Sequence, residues 1–123
     1  MNNNRRKGHN AERYYVQIFK ELFPECQTSR YASRMLDDAG VDIAEIPLLV
    51  QIKAGLQRGL KPIDILQNIS SKIPDSKKEL PKICIHHKQG VPGKKRDEYS
   101  SIVTMTFDDF FKILKLAYDN KVK

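Results

Sequence analysis

A chain of 123 residues suits one domain around one core, and 40% hydrophobic with 30% charged residues is the balance of a globular protein, not a disordered or fibrous one. No apolar run is long enough to span a bilayer, no signal peptide is visible at the polar N-terminus, and two distant cysteines, Cys26 and Cys84, build no disulfide framework; a reducing, cytoplasmic setting is expected. The net charge of +7 favours a polyanionic partner, with incidental high charge as the alternative.

Met1 to His9 is polar, basic and aperiodic, and reads as a flexible arm whose Arg5, Arg6 and Lys7 can touch phosphates or stay in solvent. Asn10 is placed to cap a helix from Ala11 to about Phe23, stopped by Pro24. Ala11, Tyr14, Tyr15, Ile18, Phe19 and Leu22 recur at helical spacing and mark its core face. Glu12 lies at the border of that stripe. An acid in a first turn complements the helix dipole, and it can equally serve a site. Cys26 to Asp38 is expected to hold a first strand and a loop. Arg30 and Arg34 can bind a backbone phosphate or pair with Asp37 and Asp38, the commoner fate of surface arginines. Asp38 is either an extra acid near a site or part of a solvated turn.

Gly40 permits a bend into the most informative stretch, GVDIAEIPLLVQIK, which predicts two short strands, Val41 to Ala44 and Leu48 to Lys53. Glu45, Ile46 and Pro47 supply the break, since proline cannot donate in a ladder. Alternation points Gln51 and Lys53 one way and Leu48, Val50 and Ile52 the other. A turn centred on Ile46 and Pro47 sets Asp42 directly across from Gln51. Three polar side chains then share one face of an apolar hairpin, which is costly unless the face is used.

Ala54 to Lys61, with Gly55, Arg58 and Gly59, reads as a loop or a short helical turn. Pro62 starts a second helix carrying Ile63, Leu66, Ile69 and Ile73, ended by Pro74. A charged connector, Asp75 to Leu80, leads to a strand, Lys82 to His87, with Ile83 and Ile85 on one face and Cys84 and His86 on the other. The adjacent histidines lack a second Cys/His cluster at ligand spacing, so they are weak metal candidates, and either can contact DNA instead. Lys88 to Ser100 is a basic Gly/Pro-containing loop with Lys94, Lys95 and Arg96. Ser101 to Met105 is the last strand. Thr106 caps a final helix with Asp108 and Asp109 in its first turn. Phe107, Phe110, Phe111, Leu114 and Tyr118 form its apolar stripe, expected in the core or a dimer interface. The order helix, strand, hairpin, helix, strand, strand, helix predicts an α/β fold, a small mixed sheet flanked by helices.

Asp42 followed by Gln51-Ile52-Lys53 resembles the core of the PD-(D/E)XK nuclease superfamily, in which an Asp strand precedes a strand closing on an acid, any residue and Lys. Gln51 departs from that pattern. The flanking order resembles the Holliday junction resolvase branch: Lys7-Gly8 before a helix with the early Glu12, then Ser29-Arg30, the Asp42 strand, the Lys53 strand, and Pro81 to His87 followed by a loop, a strand and a helix. The resemblance implies a single restriction-endonuclease-like domain over residues 10–123, a homodimer acting on four-way DNA junctions, and a metal-dependent endonuclease site. On this reading Asp42, Gln51 and Glu12 hold Mg²⁺, with Mn²⁺ as the other candidate, and Lys53 orients or deprotonates the attacking water or stabilises developing charge. An amide in place of a carboxylate removes one negative charge, which implies weaker metal binding. The basic arm, Arg30, Arg34 and the Lys94-Lys95-Arg96 loop would track phosphates. The alternatives are an inactive DNA-binding module of the same fold and a protein-interaction module. Small resolvases of this kind occur in phages and mobile elements.

Overall fold

The computed structural model describes residues 3–54, 61–88, 90 and 92–122. Among these residues, eleven elements of secondary structure follow one another. Helix α1 (Asn3–Phe19) leads to strand β1 (Gln27–Thr28), two short helices α2 (Ser29–Ala32) and α3 (Arg34–Asp38), and strands β2 (Ile43–Ala44) and β3 (Leu49–Ala54). Helix α4 (Pro62–Lys72), a 3₁₀ turn (Asp75–Lys77), strands β4 (Lys82–His87) and β5 (Ser101–Thr104) and helix α5 (Phe107–Val122) complete it. The result is the expected mixed α/β arrangement with small sheets flanked by helices.

Strands β3, β4 and β5 form one sheet, with β3 parallel to β4 and β5 antiparallel to β4. Gln51 stands beside Cys84 and Lys53 beside His86 in the parallel register. A parallel pair needs a crossover, and α4 supplies it. The β3 side chains alternate as the sequence predicts. Val50 and Ile52 pack with Ala11, Tyr15 and Val16 of α1 and with Ile83 and Ile85. Leu49 joins Leu36, Val41, Ile69 and Ile73 on the other face, where Cys84 meets Ile65 and Leu66 of α4. The sheet is therefore a middle layer between α1 and α4.

Four expectations need correction. First, α1 begins at Asn3, not after Asn10, so residues 3–9 are helical backbone and not a free arm. Its first turns carry no proline, and polar residues need no apolar stripe to be helical there. The side chains of Arg5, Arg6 and Lys7 lie outside the described set. Second, α1 ends at Phe19, with turns carrying the chain to Cys26, and its core face is Ala11, Tyr15 and Val16; Tyr14, Ile18 and Leu22 are exposed. Third, most of Cys26 to Asp38 is helical, because Ser33 caps α3 through Oγ, which accepts a bond from the Leu36 amide at 3.3 Å. Fourth, Val41–Ala44 and Leu48–Lys53 do not form a regular hairpin. β2 pairs with β1, Thr28 opposite Ile43, and β3 pairs with β4. The loop 55–60, with Arg58, lies outside the described residues.

Two glycines give opposite expectations. Gly40 sits at φ +83°, where an L side chain is strained, beside the Gln51 amide. Gly8 lies inside α1 with nothing within 4 Å of an added Cβ. Gly40→Ala should therefore cost about 1 kcal/mol or more, and Gly8→Ala should add up to about 1 kcal/mol, read from urea unfolding midpoints. Equal effects of one sign would contradict these backbone assignments.

Candidate active site

Asp42 lies where the two sheets meet. Its amide donates to the Val50 carbonyl at 2.7 Å, its carbonyl accepts from the Ser29 amide at 2.8 Å, and its Oδ2 accepts from the Ile52 amide at 2.7 Å. The expected position directly across from Gln51 is thus replaced by one against Val50 and Ile52, which flank Gln51. The carboxylate takes the place of a strand carbonyl for the Ile52 donor, because β2 is too short to continue the ladder. This fixes Asp42 beside the Gln51-Ile52-Lys53 segment. Its carboxyl is pushed up to about 6, chiefly by burial; the Ile52 hydrogen bond and the Lys53 charge oppose that shift.

Glu12 reaches the same place from α1. It is the tenth residue of the helix, so the first-turn dipole reading does not apply. Glu12 shares a helix face with Val16 and Phe19, which holds it against the buried layer. Its side chain is 13% exposed, and its Oε1 lies 3.2 Å from the Arg30 guanidinium. The carboxyl is raised to about 7, first by burial and then by the Asp42 charge, with Arg30 opposing. Glu12 and Asp42 are therefore two desolvated acids, and the Asp42 charge adds to the rise at Glu12. Arg30 pairs with Glu12 and not with Asp37 or Asp38, a partnership that no sequence spacing announces. Arg34 makes the expected exposed pair with Asp38, at 3.9 Å.

Gln51 points to the α4 side, as alternation requires, with its amide nitrogen against Gly40. Its Oε1 is buried and has no hydrogen-bond partner among the described residues. A buried orphan acceptor costs roughly 1–3 kcal/mol, so its retention calls for an explanation. Lys53 is half-buried on the same face, close enough to lower the Asp42 carboxyl and the Cys84 thiol. Burial still pushes that thiol up to about 11, which leaves Cys84 an inert core group.

The acceptor set suits a hard cation: two carboxylates that are costly to ionise alone, and an amide oxygen with no partner. Among the described residues there is no group of three or more His, Cys, Asp or Glu able to hold a metal, so the cluster is two acids and an amide. The histidines are used elsewhere. His86 Nε2 is 2.9 Å from Thr104 Oγ1. His87 Nδ1 is 2.8 Å from the Tyr15 hydroxyl, which also meets Ser101 Oγ.

Among the expected phosphate contacts, Lys94 and Lys95 are exposed. Arg96 turns inward instead. It donates to the Lys88 carbonyl at 2.7 Å, the Ser100 carbonyl at 3.0 Å and Ser101 Oγ at 3.2 Å, and lies 5.2 Å from the centre of the Tyr14 ring. A guanidinium only donates, so its approach to His87 Nδ1 at 3.3 Å makes that nitrogen an acceptor. Arg96 thus fastens the basic loop to α1. No family model, curated protein or solved structure matches this chain.

The raised carboxyls carry a definite sign. Glu12 binds its proton more tightly folded, near 7, than unfolded, near 4.5. The folded state therefore holds the extra proton between those values, and stability falls as pH rises through them. Glu12→Gln removes the ionisable group. Without divalent metal, its thermal midpoint should exceed wild type by roughly 4 °C or more above neutral pH. The two should converge as pH falls into the ordinary carboxylate range. A wild-type protein that gains stability on this rise, relative to the variant, would contradict the desolvated placement of Glu12.

Proposed function

We propose that this chain is a metal-dependent DNA endonuclease of restriction-endonuclease-like fold, acting on branched DNA as a Holliday junction resolvase. One observation carries the reading: the Asp42 carboxylate is bonded to the middle of Gln51-Ile52-Lys53, with Glu12 arriving from α1. Asp42 touches the backbone between Gln51 and Lys53 and feels the Lys53 charge, and its own charge raises Glu12, thirty residues earlier; the order of these residues is the one that the PD-(D/E)XK resemblance implies. The net charge of +7 fits a polyanionic substrate.

Asp42, Gln51 and Glu12 would hold Mg²⁺ or Mn²⁺. When bound, such an ion supplies charge neutralisation at the scissile phosphate and a more acidic water. The residues do the rest. Asp42 is held in place by Ile52, so its carboxylate needs little reorganisation. Gln51 offers a neutral oxygen with no competing donor. Lys53 places its ammonium beside Asp42, where it can orient a water, pass a proton or stabilise developing negative charge. Arg30 competes for Glu12, and an arriving cation would favour the ionised form of both raised carboxyls. Arg34, Lys94 and Lys95 are exposed and would follow phosphates. The resemblance also implies that two copies work together on a four-way junction.

Gln51 favours a second reading, a DNA-holding module of the same fold without cleavage, because the amide leaves only two acids at the site. Cleavage of a labelled four-way junction and of a linear duplex of the same sequence separates the two. A resolvase nicks the junction in paired positions, and Lys53→Ala lowers the rate by at least about 100-fold without loss of binding. Gln51→Glu should lower the Mg²⁺ needed for half-maximal rate by roughly tenfold, since it restores one charge. Salt-sensitive binding with no cuts in Mg²⁺ or Mn²⁺ establishes the holding module. Salt-insensitive or absent binding rejects DNA as the partner.

A further inference from the structure

Helix α5 is attached to the body by its polar side. Asp109, 6% exposed, accepts a bond from the Lys82 amide at 3.0 Å, and Thr106 Oγ1 caps the helix by accepting from the Asp109 amide at 3.1 Å. Lys112 donates to the Glu79 carbonyl at 3.2 Å. The apolar stripe expected in a core or an interface faces the other way. Phe107, Phe110, Phe111, Leu114 and Tyr118 are all exposed, by 45% to 73%. Phe107 and Phe111 stack with centroids 6.0 Å apart, and a groove runs past Phe111, Leu114, Ala117 and Tyr118. An amphipathic helix ordinarily buries its apolar side. Here several large apolar side chains stand together in solvent, which singly scattered exposed residues do not do.

We propose that α5 is the face through which two copies of this chain associate, helix against helix in an antiparallel two-fold pair. The spacing favours a like partner. Phe107, Phe110, Leu114 and Ala117 advance by three, four and three residues, the seam by which one helix packs into another. The charges choose the direction. Asp108 and Lys115 flank the stripe on the same side, two turns apart. An antiparallel pair can bring Asp108 of one copy against Lys115 of the other, twice by symmetry. A parallel pair sets each beside its own kind, and also aligns the helix dipoles unfavourably. Asp108, Lys115 and Asp119 border the aromatics, a rim of mixed charge that suits a second copy better than a polyanion. The inference stands on α5 alone, whether or not the chain cuts DNA.

Sedimentation equilibrium of the wild-type chain should give twice the 14.2 kDa chain mass. Phe111→Glu should return it to a monomer with an unchanged circular dichroism spectrum, since this side chain is not in the core. In an antiparallel pair Phe111→Cys, near the middle of the seam, forms an oxidised dimer, and Phe107→Cys, at one end, does not; both native cysteines are buried. A monomeric wild type at micromolar protein, or a dimer that survives Phe111→Glu, overturns the proposal. Efficient cross-linking through Phe107→Cys overturns the antiparallel arrangement.

Discussion

The three hydrogen bonds of Asp42 hold this structure together at its weakest seam. The two-stranded sheet and the three-stranded sheet are separate ladders, and β2 is only two residues long. Asp42 joins them by giving its amide to Val50, its carbonyl to Ser29 and its carboxylate to Ile52. One residue thus closes the ladder and presents an acid that feels the Lys53 charge and raises Glu12. The arrangement is not a stable place for a charge. Burial raises both Asp42 and Glu12, and the Asp42 charge raises Glu12 further, so the same packing that fixes the acids resists their ionisation. A fold that tolerates this conflict, together with an orphan Gln51 oxygen, has the marks of a site where stability gives way to function.

Much of the chain could be read in advance, for identifiable reasons. Strand β4 and the alternation along β3 follow from period two, and the start of α4 from Pro62. The helix cap at Thr106 was legible because its hydroxyl serves the third residue on. The meeting of Asp42, Gln51 and Lys53 was visible as polar residues in an apolar stretch, although the register was not. Register depends on which strand partners β2, and β1, two residues long, leaves almost no sequence signal. The Glu12–Arg30 pair was illegible for a similar reason. It joins α1 to α2 through the tertiary fold, and Arg30 had nearer acids in sequence. The same limit applies to Arg96, whose composition suggests a surface cation and whose partners are backbone carbonyls near in space.

Helix α5 marks a different boundary. Its periodicity was plain, but periodicity gives a face and not what the face meets. Asp109 and Lys112 settle that, because their bonds to Lys82 and Glu79 turn the polar side inward. The apolar side is then left facing solvent. Site and stripe are thus held by different parts of the chain, so association and any cleavage can be tested separately.

The most direct test of the central claim is a Mn²⁺ titration of the ¹⁵N-labelled protein, because the paramagnetic ion broadens only the amides near it. Broadening that begins at Gln51, Ile52 and their neighbours around Asp42, and is lost in Asp42→Asn while the spectrum stays folded, is the predicted result. Broadening centred on His86 and His87, or uniform weak broadening with no focus, would contradict the assignment of this cluster as a cation site.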